Sequence, residues 1–127
     1  MSIHESGQMY LETIYILSQT KSYVRAIDVG EHLGYSKPSV SRAMSILKKN
    51  GYVLVDSDGA ITLTESGMEI AQTMYTRHTV LSEMLMRLGV DEKTATEDAC
   101  RIEHVISAAS FSAIQQHVKQ SLGKIDD

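Results

Sequence analysis

Ala26 to Leu63 reads AIDVGEHLGYSKPSVSRAMSILKKNGYVLVDSDGAITL, and the order of signals within it decides the fold. Ala26 to Leu33 predicts a short helix with Ile27, Val29 and Leu33 as its apolar positions, and Gly34 stops it. Ser36 then stands where an N-cap belongs, and Pro38, the only proline, falls in the first turn of the next helix, where a missing N–H costs little. That helix runs to about Asn50, with Val40, Met44 and Leu47 turned inward and Gly51 behind it. Two short apolar runs follow, Tyr52 to Val55 and Ala60 to Leu63, separated by Asp56-Ser57-Asp58-Gly59, a good hairpin turn. Helix, tight turn, basic helix and hairpin in that order describe a winged helix-turn-helix.

On the N-terminal side, about Glu5 to Gln19 reads as a helix. Tyr10, Ile14 and Leu17 form one stripe and Met9, Glu12 and Ile16 a second beside it. On the C-terminal side a long helix is expected from Thr64 or Glu65 to Leu88, with Ala71, Met74, Leu81 and Leu85 on one face and Gly89 as its end. Asp91 can cap a further helix to about Ile106, whose small residues Ala95 and Ala99 permit close approach of a neighbour. A last helix, roughly Ser110 to Leu122, presents Phe111, Ile114 and Val118. The expected fold is therefore mostly α: a winged helix-turn-helix with a two-stranded wing over residues 1–63, and a helical metal-binding and dimerisation domain over 64–127.

The 127 residues are 43% hydrophobic, enough to bury a core, and no apolar run is long enough to cross a bilayer. The first residues, Met1 to Glu5, carry no basic stretch followed by an apolar run, so no secretory signal is expected there. A single cysteine, Cys100, excludes an internal disulfide framework and fits a reducing, cytoplasmic setting. The net charge of −4 is unevenly spread. From His32 to Val55 there are four basic side chains, Lys37, Arg42, Lys48 and Lys49, and no acidic one, whereas residues 56–127 hold six basic against twelve acidic. A basic island in an acidic chain points to a polyanion met by one segment only.

A recognition helix reads base edges near its N-terminus. Ser39 and Arg42 stand three positions apart on one face: Arg can pair bidentately with guanine, and Ser can reach a base or a phosphate. Ser36, Pro38 and Ser41 complete the opening of that helix, while Lys37, Lys48, Lys49 and Arg25 suit phosphates. One monomer of this size covers little duplex, so a homodimer on a palindromic operator is expected.

The second group of chemistry-bearing residues is Cys100, Glu103 and His104, at i, i+3 and i+4. Helical geometry gathers that spacing on one side, and thiolate, carboxylate and imidazole together suit a transition metal rather than calcium or magnesium. His78 falls on the apolar stripe of the long helix, where an imidazole needs a partner, either a core hydrogen bond or a metal. Met9 and Glu12 set a thioether beside a carboxylate on a face that should pack inward. Three helices thus each offer donors.

These stretches resemble the diphtheria-toxin-repressor and manganese-transport-regulator family of metal-dependent repressors. The similarity lies in Met9-Tyr10-Leu11-Glu12-Thr13-Ile14-Tyr15, Val24-Arg25-Ala26-Ile27-Asp28, Ser36 to Ser41, Ile61 to Gly67, Tyr75-Thr76-Arg77-His78 and, most specifically, Asp98 to Ser107. The resemblance implies a winged helix, a helical dimerisation half, and ferrous or manganous ion as co-repressor. It places Met9, Cys100, Glu103 and His104 at the primary site of the iron-responsive branch, and Glu12 and His78 where the manganese branch has ligands. The donor set is a hybrid: the manganese branch would have Asp at position 9 and Glu at position 100. An ancillary site of the iron branch would be incomplete, because Ser82 and Thr96 stand where Glu and His are expected and Glu83 is one place off. The resemblance is to the short, two-domain form without an SH3-like third domain.

Thiolate and thioether favour Fe(II), Co(II), Ni(II) or Zn(II) over Mn(II), while Glu12 and Glu103 pull toward harder ions. The expected cofactor is Fe(II) or Mn(II), with Fe(II) ahead on donor softness. The alternative is a winged-helix regulator that does not depend on metal. An enzyme built on Cys100 and His104 is disfavoured by their placement on one helix and by the lack of a glycine-rich loop or a recognisable oxyanion hole.

Overall fold

The computed structural model describes residues 5–126, of which 121–126 by backbone alone. The expected domain limits at 1 and 127 lie outside the described residues. The elements are α1 (Glu5–Ser18), α2 (Ala26–Leu33), α3 (Lys37–Lys49), β1 (Val53–Val55), β2 (Ile61–Leu63), α4 (Glu65–Arg87), α5 (Glu92–Ile102) and α6 (Ala108–Asp126). Two compact units divide them, one through Thr73 and the other from Met74, so α4 contributes to both. Among the described residues no helix is long and apolar enough to cross a membrane.

The first unit is a winged helix-turn-helix. Its core joins Leu11, Ile14, Val29, Val40, Met44, Leu47, Val53 and Ile61, so α1, α2, α3 and both strands close on one apolar centre. Local chemistry sets each boundary. The Asp28 carboxylate accepts from the Arg25 N–H at 2.9 Å and begins α2. Gly34 ends it at φ 73°, with its N–H on the Gly30 carbonyl at 2.8 Å, a left-handed cap that a side chain would strain. Ser36 caps α3 by accepting from the Ser39 N–H at 3.3 Å.

In the wing β1 and β2 pair antiparallel, Val53 opposite Leu63 and Val55 opposite Ile61. Asp56 closes the loop by accepting from the N–H groups of Asp58 and Ala60, both at 2.9 Å, and Gly59 turns it at φ 82°. An isolated bridge from Val24 to Ile61 ties the segment before α2 to the wing. The start of α4 is riveted to the base of the wing: the Thr64 hydroxyl donates to the Gly51 carbonyl at 2.7 Å, and Gly67 packs directly on the Tyr52 carbonyl.

In the second unit Met74 and Leu81 of α4, Ala95 and Ala99 of α5 and Val118 of α6 are buried. Asp91 caps α5 by accepting from the Thr94 N–H at 3.0 Å. Here the expected boundaries need correction. The helix anticipated to about Ile106 ends at Ile102, and the last helix starts at Ala108 rather than Ser110. The N–H groups of Val105 and Ile106 both return to the Ile102 carbonyl at 3.0 Å, a tightened turn, and the Ser107 hydroxyl accepts from the Ser110 N–H at 3.1 Å to open α6. A second correction concerns Ile27, expected to face inward on α2 and found 64% exposed. It lines an open cleft of about 640 Å³ between α2 and α3, with Val40, Met44, Lys37 and Lys48 among its other walls.

Candidate metal centre and nucleic-acid interface

The candidate nucleic-acid face is built by α3. Val40, Met44 and Leu47 are buried at 2%, 7% and 3% exposure, and this anchors one side of the helix in the core. The other side is left to Lys37, Pro38, Ser39, Ser41, Arg42 and Lys48, all exposed, as is Ser36 ahead of them. Ser39 also accepts a hydrogen bond from the Ser36 hydroxyl at 2.9 Å, so the two hydroxyls are ordered together at the helix entrance. Arg25 is exposed but engaged. Its Nε donates to the Asp58 carbonyl in the wing loop at 3.2 Å, and its guanidinium lies 5.8 Å from the centre of the Tyr23 ring. It braces the wing loop.

The candidate metal donors fall on α1 in the first unit and on α4 and α5 in the second. In the first unit Met9 is half-buried and Glu12 is buried at 6% exposure. A carboxylate so placed is costly unless its charge is met. The Met9 sulfur accepts from the Tyr35 hydroxyl at 3.5 Å. Sequence reasoning missed this contact; the only signal was a tyrosine at the turn between α2 and α3.

In the second unit the Glu103 side chain has no exposure and lies between two imidazoles. Its Oε2 is 3.7 Å from His78 Nδ1 and its Oε1 is 3.5 Å from His104 Nε2. Both separations exceed a hydrogen bond. They are close to the roughly 3.4 Å that separates two ligands each about 2.1 Å from one tetrahedral ion. The His104 side chain is fully buried. Burial pushes the His78 pKa below its ordinary value, which favours the neutral ring that can donate a lone pair. His78 Nδ1 is enclosed and has no hydrogen bond among the described residues. Cys100, half-buried and reduced, sits on α5 one turn before Glu103. Carboxylate, imidazoles and thiol of this kind fit a divalent transition ion.

Glu103 is the C-cap of α5, and His104 lies beyond the helix rather than within it. The backbone at Glu103 is still helical, φ −57° and ψ −27°, so Glu103 keeps its helical spacing from Cys100 despite the early end of the helix. The turn is held by Arg77, which sequence reasoning did not single out. One of its terminal nitrogens donates to the carbonyls of both Glu103 and Ile106, each at 3.1 Å, and its guanidinium lies 5.5 Å from the Phe111 ring centre. A cation at these carbonyls suits the negative end of α5. The sequence signal was its place beside His78.

A winged helix-turn-helix with a basic exposed helix face, followed by a helical unit carrying a buried carboxylate between two imidazoles, defines a class: DNA-binding proteins joined to a metal-binding module. Comparison narrows the class. Residues 2–61 match the family model described as the iron dependent repressor, N-terminal DNA binding domain. Residues 64–121 match that of the iron dependent repressor, metal binding and dimerisation domain. The chain belongs to the iron dependent repressor family. It is 33% identical over 114 residues to the HTH-type transcriptional regulator MntR of Lysinibacillus sphaericus, covering 90% of this chain and 82% of that one. Among solved structures it resembles a manganese-dependent transcriptional repressor in complex with manganese (29% identity, TM-score 0.81, 89% of this chain and 52% of that one). It also resembles the manganese regulator SloR (25% identity, TM-score 0.80, 94% and 55%). The chain thus spans about half the length of those two solved chains.

Proposed function

We propose that the chain is a metal-dependent transcriptional repressor of metal-ion homeostasis. In this reading it binds a palindromic operator as a homodimer in the cytoplasm, with Fe(II) or Mn(II) as co-repressor. The observation that carries it is the fully buried Glu103 carboxylate between His78 and His104, in the part of the chain that matches a metal-binding and dimerisation domain. The proposed ligands are Met9 and Glu12 of α1, His78 of α4, and Cys100, Glu103 and His104 of α5 and the turn after it. Family membership and the relatives' names support a regulator rather than an enzyme.

A bound divalent ion supplies positive charge that offsets buried carboxylates. The protein's residues do the rest. Donors drawn from residues 1–63 and from 64–127 make DNA reading and dimerisation respond to one event, so the spacing of two recognition helices in a dimer depends on occupancy. Ligation then selects the binding-competent state by differential affinity, and a coupling of ~1–3 kcal/mol changes operator affinity about 5- to 150-fold. On α3, Ser39 and Arg42 read bases while Lys37 and Lys48 meet phosphates.

The test is a titration of a palindromic operator with the full chain, anaerobically, with and without Fe(II) or Mn(II), beside His104→Ala. The expected result is a gain in operator affinity with metal that His104→Ala loses while remaining a folded dimer. Equal affinity with and without metal in the wild type would leave the metal-independent winged-helix reading in its place.

A further inference from the structure

Met9 and the recognition helix are joined by one side chain. The Tyr35 hydroxyl donates to Met9 Sδ at 3.5 Å. The backbone of Tyr35 belongs to the turn of the helix-turn-helix, where its N–H donates to the Gly30 carbonyl at 3.1 Å. The next residue is Ser36, whose hydroxyl caps α3 through Ser39. One hydrogen bond, the Tyr35 side chain and one peptide unit therefore separate the Met9 sulfur from the N-cap of α3. The Tyr35 ring stands edge-on to Tyr10, with centroids 5.9 Å apart and planes at 64°, so the ring is seated on α1 independently of its hydroxyl.

We propose that Tyr35 is a positioning residue that holds the Met9 thioether in its ligating rotamer and transmits occupancy of that sulfur to the start of α3. The chemistry allows both partners at once. A thioether sulfur has two lone pairs and is a weak hydrogen-bond acceptor, so one pair can meet a metal while the other keeps the phenol. Methionine has three rotatable bonds and no directional preference of its own, so a single O–H donor is enough to restrict it. The outer partner of a ligand tunes that ligand as it does in other metal sites. A shift of sulfur toward an ion draws the phenol with it, and the Tyr35 ring, held edge-on to Tyr10, passes part of that shift to the turn whose next residue is Ser36. Soft-metal occupancy is in this way felt at the hydroxyl pair of Ser36 and Ser39 on the reading face.

The inference rests on the reading of Met9 as a ligand, and the test separates the two. Wild type, Tyr35→Phe, Met9→Leu and the double variant are compared as full chains in three measurements. These are anaerobic Fe(II) affinity, operator affinity with and without Fe(II), and the resonances of carbon-13-labelled methionine methyl groups with diamagnetic Zn(II). Tyr35→Phe is expected to keep the wild-type unfolding midpoint and metal-free DNA affinity. It should lose about 10-fold in Fe(II) affinity, the lower end for an outer partner, and lose part of the metal-induced gain on operator. The Met9 methyl resonance of the Zn(II) form should move or broaden, and the double variant should bind metal no more weakly than Met9→Leu alone. Tyr35→Phe matching wild type in metal affinity and operator response, while Met9→Leu is impaired, overturns the inference and leaves the ligand set standing. Fully additive losses in the double variant, or a Tyr35→Phe loss confined to folding stability, overturn it as well. Met9→Leu indistinguishable from wild type removes Met9 from the ligands and takes the inference with it.

Discussion

Replacing Glu103 by Gln separates the cost of its burial from its use. Gln keeps the volume and one acceptor oxygen but cannot carry the charge. In the folded chain the Glu103 side chain has no exposure, and two imidazoles lie 3.5 and 3.7 Å from its oxygens. Burial lowers the His78 pKa, so at neutral pH that ring carries little positive charge to balance a carboxylate. Taking a carboxylate out of water costs several kcal/mol, and a neutral isostere of similar size avoids that cost. The metal-free Glu103→Gln protein is therefore expected to unfold at the wild-type midpoint or above it. With metal the order reverses. At a free ion concentration 100 times the dissociation constant, binding to the native state alone stabilises by about 2.7 kcal/mol. For a chain of this size that corresponds to roughly 10 °C in Tm. Thermal unfolding followed by circular dichroism, with and without Mn(II), should show that gain in the wild type and its absence in Glu103→Gln. A variant that is several degrees less stable without metal, yet keeps the full Mn(II) shift, would mean that the carboxylate is a structural group and that the ion binds elsewhere.

Four further outcomes are expected. Gly67→Ala would drive a methyl group into the Tyr52 backbone carbonyl, which cannot yield as a side chain can, so stability should fall by ~3 kcal/mol; an unchanged denaturant midpoint would contradict the close approach of α4 to the wing. Arg42→Ala should weaken specific operator binding by ~1–3 kcal/mol without altering metal affinity, and a specificity unchanged by sequence competition would remove Arg42 from the reading set. The Asp91 pKa is lowered, first by the hydrogen bond from the Thr94 N–H, so its capping contribution is complete above the ordinary aspartate value and lost as pH falls toward the lowered one; Asp91→Asn should flatten that part of an acid titration followed by far-UV dichroism. Cys100→Asp should raise preference for Mn(II) over Fe(II) by replacing a soft donor with a hard one, and an unchanged metal ranking in competition titrations would mean that the thiol does not set selectivity.

The first unit was legible because its instructions are local. Ser36 as cap, Pro38 in the first turn, Gly34 and Gly59 at positive φ and the Asp56 loop each act within a few residues, and each stands where the sequence suggests. The misreadings came where a distant side chain decides. Apolar periodicity continues from Ile102 to Ile106, but the Glu103 and Ile106 carbonyls are taken by Arg77, 26 and 29 positions back, and the chain turns instead of coiling on. Ile27 fits a buried stripe on α2, but the stripe exceeds what α3 can cover there, and the residue is left on the wall of an open cleft.

The candidate site divides along the same line. Residue types and helical spacing were enough to select Glu103 and His104, because positions three and four after Cys100 share its side while the backbone stays helical through Glu103. No spacing could show that the carboxylate is entirely enclosed with an imidazole on either side, since His78 arrives from another helix. That enclosure is what distinguishes a metal donor from a solvated surface acid. A carboxylate can be left in water at almost no cost, whereas one kept out of water must be partnered. The enclosed Glu103 carboxylate with an imidazole nitrogen 3.5 and 3.7 Å to either side is a donor set that a divalent ion can use, and the sequence motif alone could not show it.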